Sequence, residues 1–338
     1  MIRPDLEAIP PYVPGVRDER AIKLSSNECA EGPLPPVLDA MRKALGEINR
    51  YPDIGALQLR AALGEHLGVA PEQVALGAGS SALCQQLVSI AAQPGDEVIF
   101  PWRSFEAYPI FVQVVGATPV RVPLGSDDRL DMPALAAAVT DRTKLIFICN
   151  PNNPTGTTIT GAEFAAFMDE VPADVLVVLD EAYFEYNHAA DTPVATEVIT
   201  RYPNVVGLRT FSKAYGLAGA RVGYAFGPRA IIEALNKVAV PFSVSSVAQV
   251  AALASLDAQD ELHARVDATV AERSRVVEKL GLSESQANFV WLPREGQDLA
   301  DRLAAEGVLV RVFPEGIRVT VTNAEETDAL LEAWDRAK

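Results

Sequence analysis

The sequence predicts an α/β protein whose large domain is built on a mostly parallel β-sheet that helices cover on both faces. Continuous apolar runs, at 143–151, 174–183 and 204–210, have the length and composition of buried parallel strands. Helical patterns separate these runs along the chain, as in βαβ units. Polar residues gather where the runs end, and parallel sheets bind ligands beyond the carboxyl ends of their strands.

The chain begins with a proline-rich segment, residues 1–36, which we expect to form an extended arm over a body built elsewhere. Residues 36–49 and 55–68 have the pattern of helices. From residue 74 onward, strands such as 97–101 and 118–124 alternate with helices. We therefore predict a large domain over residues 37–240 that contains the sheet.

The last third of the chain has a different pattern of predicted strands and helices. Three strands, 287–292, 308–313 and 317–321, are interspersed with helices. This pattern predicts a smaller α/β domain over residues 241–338, with Pro241 at the boundary. We expect the N-terminal arm, residues 1–36, to join this smaller domain.

Composition excludes several classes of protein. The formal charge is −16, from 45 acidic and 29 basic residues, and no basic run offers a surface for nucleic acid. No run approaches about 18 apolar residues, and residues 1–15 do not resemble a signal peptide, so neither a membrane span nor export is expected. Three cysteines, odd in number and far apart, favour a reducing cytoplasm and argue against a zinc site. We predict no metal site.

One lysine, Lys213, lies in a polar turn after the apolar run 204–210, beside Ser212 and small residues. A lysine carries a strongly hydrated cation, so it either faces water in a surface loop or is neutralised. A Schiff base with an aldehyde would neutralise it. Arg221 follows after Gly216 and Gly219, which allow tight turns.

A glycine- and serine-rich turn, Gly79-Ser80-Ser81, follows a strand and opens a helix. Backbone N–H groups and the positive end of the helix favour a phosphate at such a place. A simple helix N-cap explains the same residues equally well. The turn lacks the third glycine of a dinucleotide-binding fingerprint and the glycine-lysine pair of a P-loop.

Two further strand ends carry polar residues. The segment Asn150–Gly156 has the prolines and glycine of a rigid turn, which suits an asparagine that holds a ligand oxygen. Asp180 ends an apolar strand, where a carboxylate is costly unless it is paired. A protonated ring nitrogen would pair with it, and Tyr183 could reach the same ligand. Magnesium is the alternative, which we rank lower because no P-loop lysine accompanies Asp180.

Three motifs, PNNPTG, LDEAYFE and RTFSKAYGLAGARVGY, occur in an order and spacing that resembles the fold-type I pyridoxal-phosphate (PLP) aminotransferases. Within them the chain resembles the histidinol-phosphate aminotransferase group, and most of all its aromatic amino acid (phenylalanine) branch. The similarity runs from PPYVPG to IRVTV, almost the full length. It implies a fold-type I architecture, in which the large domain is an α/β/α sandwich that binds PLP.

The resemblance also implies roles for residues around the cofactor. Lys213 would form the Schiff base with PLP and move the proton, Asp180 would pair with the ring nitrogen, and Phe105 would stack on the ring. The 3-oxygen of the ring would be held by Asn153 and Tyr183. The phosphate would be bound by Gly79, Ser80, Ser81, Ser212 and Arg221.

Substrate contacts follow from the same resemblance. Arg318 matches the arginine that grips the anionic end of the substrate, and Arg311 could assist, although it could also be a surface charge on an edge strand. Tyr12 would close over the substrate from the arm, and Asn27 would contact it. Tyr51 resembles a tyrosine that reaches into the neighbouring subunit's site, which implies a homodimer with composite active sites.

The expected activity is transfer of the amino group of an aromatic L-amino acid to 2-oxoglutarate, with amino acids and 2-oxo acids as small-molecule partners and neither nucleic acid nor a membrane. Histidinol-phosphate aminotransferase is the alternative, because one arginine can bind a carboxylate or a phosphate. A PLP-dependent decarboxylase or lyase and a PLP-binding regulator are further readings. The regulator would need a DNA-binding domain, for which the chain shows no extension and has the wrong charge. An unrelated nucleotide-binding protein would need the missing fingerprint glycine.

Overall fold

The structure is a computed structural model that describes residues 2–13, 15–16 and 18–338. The strands are β1 (Ile22–Lys23), β2 (Val74–Gly77), β3 (Glu97–Trp102), β4 (Thr118–Pro123), β5 (Thr143–Cys149), β6 (Leu176–Asp180), β7 (Val205–Thr210), β8 (Gly223–Phe226), β9 (Phe289–Pro293), β10 (Val308–Leu309), β11 (Arg311–Phe313) and β12 (Gly316–Thr320). The helices are α1 (Pro35–Ala44), α2 (Leu57–Leu67), α3 (Ser80–Ala91), α4 (Tyr108–Val114), α5 (Met132–Ala137), α6 (Gly161–Glu170), α7 (Ala195–Val198), α8 (Arg229–Val238), α9 (Ser246–Asp257), α10 (Gln259–Leu280), α11 (Gln297–Ala305) and α12 (Ala324–Ala337). Within the described residues, none of these helices has both the length and the apolar character that crossing a membrane requires.

The large sheet has seven strands in the order β2-β8-β7-β6-β5-β3-β4. Every neighbouring pair is parallel except the two that β8 forms, because β8 runs antiparallel to β2 and β7. The prediction of an α/β fold with a mostly parallel sheet is confirmed. Strand β8 was not predicted, since it directly continues the motif that holds Arg221.

The side chains of the central strands alternate between two cores, one on each face of the sheet. Ile146 and Ile148 of β5 point into the core beneath α5, α6 and α9, whereas Leu145 and Phe147 point into the core beneath α3, α4 and α8. Burial on both faces explains why these strands appear as unbroken apolar runs in the sequence.

The strand register brings the polar strand ends to one edge of the sheet. Cys149 at the end of β5 pairs with Asp180 at the end of β6, and Asp180 pairs with Leu208 of β7. The turn with Asn153 and the turn with Lys213 begin directly beyond these positions. Parallel strands therefore place the two turns and Asp180 around one space.

A second group of strands lies in the last third of the chain. Strands β11, β12 and β9 form an antiparallel sheet, and β1 from the arm pairs in parallel with β10. Leu24 of the arm belongs to the same core as Val290 and Trp334. In contrast, α9 packs against α1 and buries its alanines in the large domain's core. The domain boundary at Pro241 stays a prediction.

Candidate active site

A cavity of about 540 Å³ opens beyond the carboxyl ends of the parallel strands and is closed by the arm and by β11 and β12. Most residues predicted from the sequence lie in its wall: Tyr12, Asn27, Ser80, Ser81, Phe105, Asn153, Asp180, Tyr183, Ser212, Lys213, Arg221, Arg311 and Arg318. Gly79 lies against Arg221 at the edge of this wall. Tyr51 lies outside it.

The amine of Lys213 enters this cavity from the turn after β7. Its Nζ donates a hydrogen bond to the backbone oxygen of Ser26 at 3.2 Å. Burial, reinforced by the positive charge of Arg318, lowers the pKa of Lys213 to about 8. Roughly a tenth of the amine is therefore unprotonated at neutral pH, far more than for an ordinary lysine, and the unprotonated form is the one that attacks an aldehyde.

Asp180 ends β6 and is only 4% exposed. One carboxylate oxygen, Oδ2, accepts a hydrogen bond from the hydroxyl of Tyr108 at 2.5 Å. The other, Oδ1, is buried and has no hydrogen-bond partner among the described residues. Burial raises the pKa of Asp180 to about 6, against the effect of the Tyr108 hydrogen bond. A buried, unsatisfied anionic oxygen of this kind fits a cationic N–H donor.

Arg318 on β12 forms hydrogen bonds with two other parts of the chain. Its Nη1 donates to Asn153 Oδ1 at 2.5 Å, and its Nη2 donates to the backbone oxygen of Ser25 at 2.7 Å. Nearby, Asn27 Nδ2 donates to the hydroxyl of Tyr183 at 2.9 Å. The arm, the turn after β5 and the small sheet thus converge on one buried cation, which suits an anionic substrate group.

The start of α3 and the guanidinium of Arg221 form a cradle for an anion. Gly79 has φ +80° and Arg221 has φ +58°. An ideal Cβ on Gly79 would lie 2.4 Å from Arg221 Nη2, so glycine is required for this close approach. Ser80 and Ser81 open the helix, and Arg221 Nη1 lies 3.4 Å from Ser212 Oγ. Backbone N–H groups, hydroxyls and a fixed cation together suit a phosphate.

One wall of the cavity is apolar. Phe105 contributes to it, together with Ala107, Ile110 and Phe111. The last three were missed in the sequence analysis. Their spacing of three and four residues places them on one face of α4, and this helical period is the signal that could have identified them.

Arg311 on β11 is part of the cavity wall and not a free surface charge. Its Nη2 forms a salt bridge with Glu106 at 2.7 Å and donates to the backbone oxygen of Val13 at 2.9 Å. Its side chain is 14% exposed. A cation held by one carboxylate can exchange it for another anion that enters the cavity.

Tyr51 lies apart from these residues, is 83% exposed and stacks on Phe242 at 4.7 Å. Other large apolar side chains close to either residue in the chain are also exposed: Leu45, Ile48, Ile54, Leu57, Val238 and Val240. The described chain by itself thus leaves Tyr51 on an apolar surface, not in the cavity.

The residues of the cavity match the chemical groups of PLP. The amine of Lys213 suits its aldehyde, the unsatisfied Oδ1 of Asp180 suits its protonated ring nitrogen, and the cradle at Gly79 and Arg221 suits its phosphate. Phe105 offers an aromatic face from the same wall. The donor set therefore fits this cofactor at each of its functional groups.

Similarity to known proteins is high along the whole chain. An aromatic amino acid aminotransferase of Corynebacterium glutamicum (strain R) is 64% identical over 336 residues, which cover 99% of this chain and 98% of that protein. A protein of the same name from Mycobacterium bovis (strain BCG / Pasteur 1173P2) is 54% identical over 340 residues, covering 98% of this chain and 96% of that protein.

The fold agrees with this similarity. The crystal structure of histidinol-phosphate aminotransferase from Sinorhizobium meliloti in complex with pyridoxal-5′-phosphate has a TM-score of 0.91 and 32% identity, covering 99% of this chain and 97% of that chain. The family described as aminotransferase class I and II matches residues 19–333. The resemblance stated from the sequence motifs is confirmed. This chain belongs to the aminotransferase class I and II family, with PLP as its cofactor.

Proposed function

We propose that this chain is an aromatic amino acid aminotransferase. It moves the amino group of phenylalanine, tyrosine or tryptophan to 2-oxoglutarate and yields the aromatic 2-oxo acid and L-glutamate. The observation that carries this proposal is a single cavity that holds the amine of Lys213, the unsatisfied oxygen of Asp180 and the anion cradle at Arg221. The names of relatives up to 64% identical to this chain support the substrate class.

The cofactor supplies the electron sink for bond changes at the substrate α-carbon. Lys213 would bind the cofactor aldehyde through its Nζ and would carry the proton at the substrate α-carbon. Asp180 would hold the ring nitrogen in its charged form, and Tyr183 and Asn153 would hold the ring oxygen. The phosphate would be held by Ser80, Ser81, Ser212 and Arg221, so these contacts would fix the cofactor at several points.

The substrate has a place in what remains of the cavity. Arg318 offers a buried cation to the α-carboxylate. Ile110 and Phe111, next to Phe105, offer an apolar surface to an aromatic side chain. Asn27 and Tyr12 lie on the arm side of the same space. An aromatic amino acid matches both halves of this arrangement.

Histidinol phosphate is the second candidate substrate, because a histidinol-phosphate aminotransferase has the same fold at 32% identity. Both substrates place an anion where one arginine can bind it. The decisive measurement compares kcat/KM for phenylalanine with 2-oxoglutarate and kcat/KM for histidinol phosphate with 2-oxoglutarate. We expect phenylalanine to be preferred by at least about tenfold. A preference for histidinol phosphate would overturn the proposed substrate.

The role of Lys213 has its own test. Purified protein is expected to be yellow, and borohydride should remove the visible band and leave PLP attached to Lys213 in a peptide map. Lys213→Ala should lose essentially all turnover, whereas Lys237→Ala, at an exposed position near the end of α8, should behave as wild type. A colourless protein that gains no band with added PLP would refute the cofactor assignment.

We also propose a homodimer with composite sites, in which Tyr51 reaches the neighbouring subunit's PLP. The exposed apolar residues around Tyr51 and Phe242 support this, because an apolar surface of this kind marks an interface. Light scattering should give twice the chain mass. Co-expressed Tyr51→Ala and Lys213→Ala chains should regain about a quarter of the wild-type activity, since half of the dimers would carry one intact site. No recovery, or a monomer, would contradict the proposal.

We place the enzyme in the reducing cytoplasm. The cysteines Cys29, Cys84 and Cys149 are all free. Burial raises the pKa of Cys84 and Cys149, which keeps both thiols protonated and unreactive. Fractionation of cells that express a tagged chain checks this placement.

A further inference from the structure

We infer that Tyr108 is a positioning residue for Asp180. Its hydroxyl holds Oδ2 of the carboxylate, leaves Oδ1 to the ring nitrogen of the cofactor, and keeps the carboxylate ionised in an apolar pocket. This inference rests on the proposed function, because it concerns the residue that pairs with the PLP ring. Tyr108 does not line the cavity and acts through Asp180.

The geometry divides the two oxygens of Asp180 between two tasks. The Tyr108 hydroxyl donates to Oδ2 at 2.5 Å, while Oδ1 is buried and without a hydrogen-bond partner among the described residues. Both side chains are almost fully buried. A carboxylate held at one oxygen cannot rotate freely, so the direction of Oδ1 is set before the cofactor binds.

The ring of Tyr108 is itself held on two sides. It stacks on Phe147 of β5 with ring centroids 4.3 Å apart and planes 12° apart. Phe105 meets it edge to face at 5.4 Å and 89°. Tyr108 therefore braces Asp180 through its hydroxyl and Phe105 through its ring, so one side chain supports two of the predicted cofactor contacts.

The electrostatic surroundings give the hydroxyl a second task. None of the titratable groups found to interact electrostatically with Asp180 is a cation. These groups are Cys84 of α3, Cys149 of β5, Tyr108 of α4, Glu181 and Tyr183. Against burial, the groups that lower the pKa of Asp180 are the Tyr108 hydroxyl, through its hydrogen bond, and the nearby backbone N–H of Ala182. Burial and the nearby Asp180 raise the pKa of Tyr108 well above its ordinary value, so it remains a neutral donor.

The test removes the hydroxyl in Tyr108→Phe and follows the cofactor rather than turnover. In holoenzyme loaded with ¹⁵N-labelled PLP, the ring-nitrogen signal should move toward that of unprotonated pyridine, because a carboxyl with a higher pKa takes the proton. The visible band should titrate at higher pH, since a less positive ring raises the pKa of the imine nitrogen. The dissociation constant for PLP should rise about tenfold, the usual loss for a hydrogen bond to a charged group.

The matched control is Tyr224→Phe. Tyr224 is equally buried, and its hydroxyl has no hydrogen-bond partner among the described residues. The control should leave the ¹⁵N shift, the band titration and the PLP affinity unchanged. Phe147→Leu gives a second variant that keeps the hydroxyl but removes the stacked neighbour. It should produce a smaller change in the same direction.

A double-mutant cycle separates positioning from general packing. On an Asp180→Asn background, Tyr108→Phe should add less than about twofold to the PLP dissociation constant, because the carboxylate that it serves is absent. An equal loss on both backgrounds would show a packing role and overturn the inference. The inference would also be overturned if Tyr108→Phe and Phe147→Leu both kept the wild-type ¹⁵N shift, band titration and PLP dissociation constant. Failure of the wild-type protein to bind PLP would refute the proposed function instead.

Discussion

Gly79 makes room for Arg221: an ideal Cβ at residue 79 would lie 2.4 Å from Nη2 of the arginine. Gly79 also has φ +80°, which disfavours any other residue. The anion cradle of the cavity thus depends on the absence of one side chain at the start of α3.

Gly79→Ala should therefore weaken PLP binding. The added methyl group displaces the guanidinium from the cradle, and we expect the dissociation constant for PLP to rise roughly 10- to 100-fold, in line with the loss of a charge-assisted contact. Equilibrium titration of the apoprotein with PLP measures this dissociation constant. Gly46→Ala serves as the control, because a Cβ there contacts nothing within 4 Å. Equal affinities of the two variants would refute the cradle.

The amine of Lys213 should set the pH dependence of PLP capture. Only the unprotonated amine reacts, and burial with Arg318 lowers the pKa of Lys213 to about 8. The capture rate of apoprotein should thus rise with pH around a midpoint near 8. Arg318→Met removes the largest charge that lowers this pKa and should raise the midpoint, whereas Arg103→Met, whose side chain pairs with Glu315, should not. A midpoint above about 10, the ordinary lysine value, would contradict this.

Arg311 should distinguish the two substrates of the transamination. Arg318 takes the carboxylate that all substrates share, whereas 2-oxoglutarate carries a second one, and Arg311 is a second cation in the cavity wall. Arg311→Met should lower kcat/KM for 2-oxoglutarate by more than about tenfold and that for phenylalanine by less than about threefold. Single half-reactions followed by the visible band give both values. Equal losses would show that Arg311 does not discriminate, and Arg103→Met provides the matched control.

Glu185 should make the fold lose stability as pH rises from about 4.5 to about 7. Burial raises its pKa from 4.5 to about 7, and its Oε2 has no hydrogen-bond partner among the described residues. Between these two pH values the unfolded chain releases the proton before the folded chain does. Stability therefore falls as pH rises toward about 7 and does not return above it.

Glu185→Gln should remove this loss, which is at most about 3 kcal/mol for a shift of this size. Thermal unfolding between pH 5 and 8 should show a flatter profile for the variant than for wild type. Glu233→Gln, at an exposed position on α8, should keep the wild-type profile. Parallel profiles for Glu185→Gln and wild type would contradict the prediction.

Much of the cavity could be anticipated because its parts are local in sequence. Lys213 and Arg221 lie in one segment after a strand, and Asp180 and Tyr183 lie in another. The positions of strand ends and the residues typical of turns therefore identify all four from the sequence. Tyr108 could not be found in this way. It lies among apolar residues at the start of α4, 72 positions from Asp180, and only the packing of α4 on the sheet joins their side chains.

The amino-acid sequence alone determined the fold class, the cofactor and the family, because apolar periodicity and three motifs are properties of neighbouring residues. The tertiary structure decided which oxygen of Asp180 is left for a ligand, that Arg311 pairs with Glu106, and that α9 packs on the large domain. These relationships join segments distant in the chain. They depend on the distances between side chains and on their burial. Both are set only when the helices and strands pack together and exclude water from the space between them.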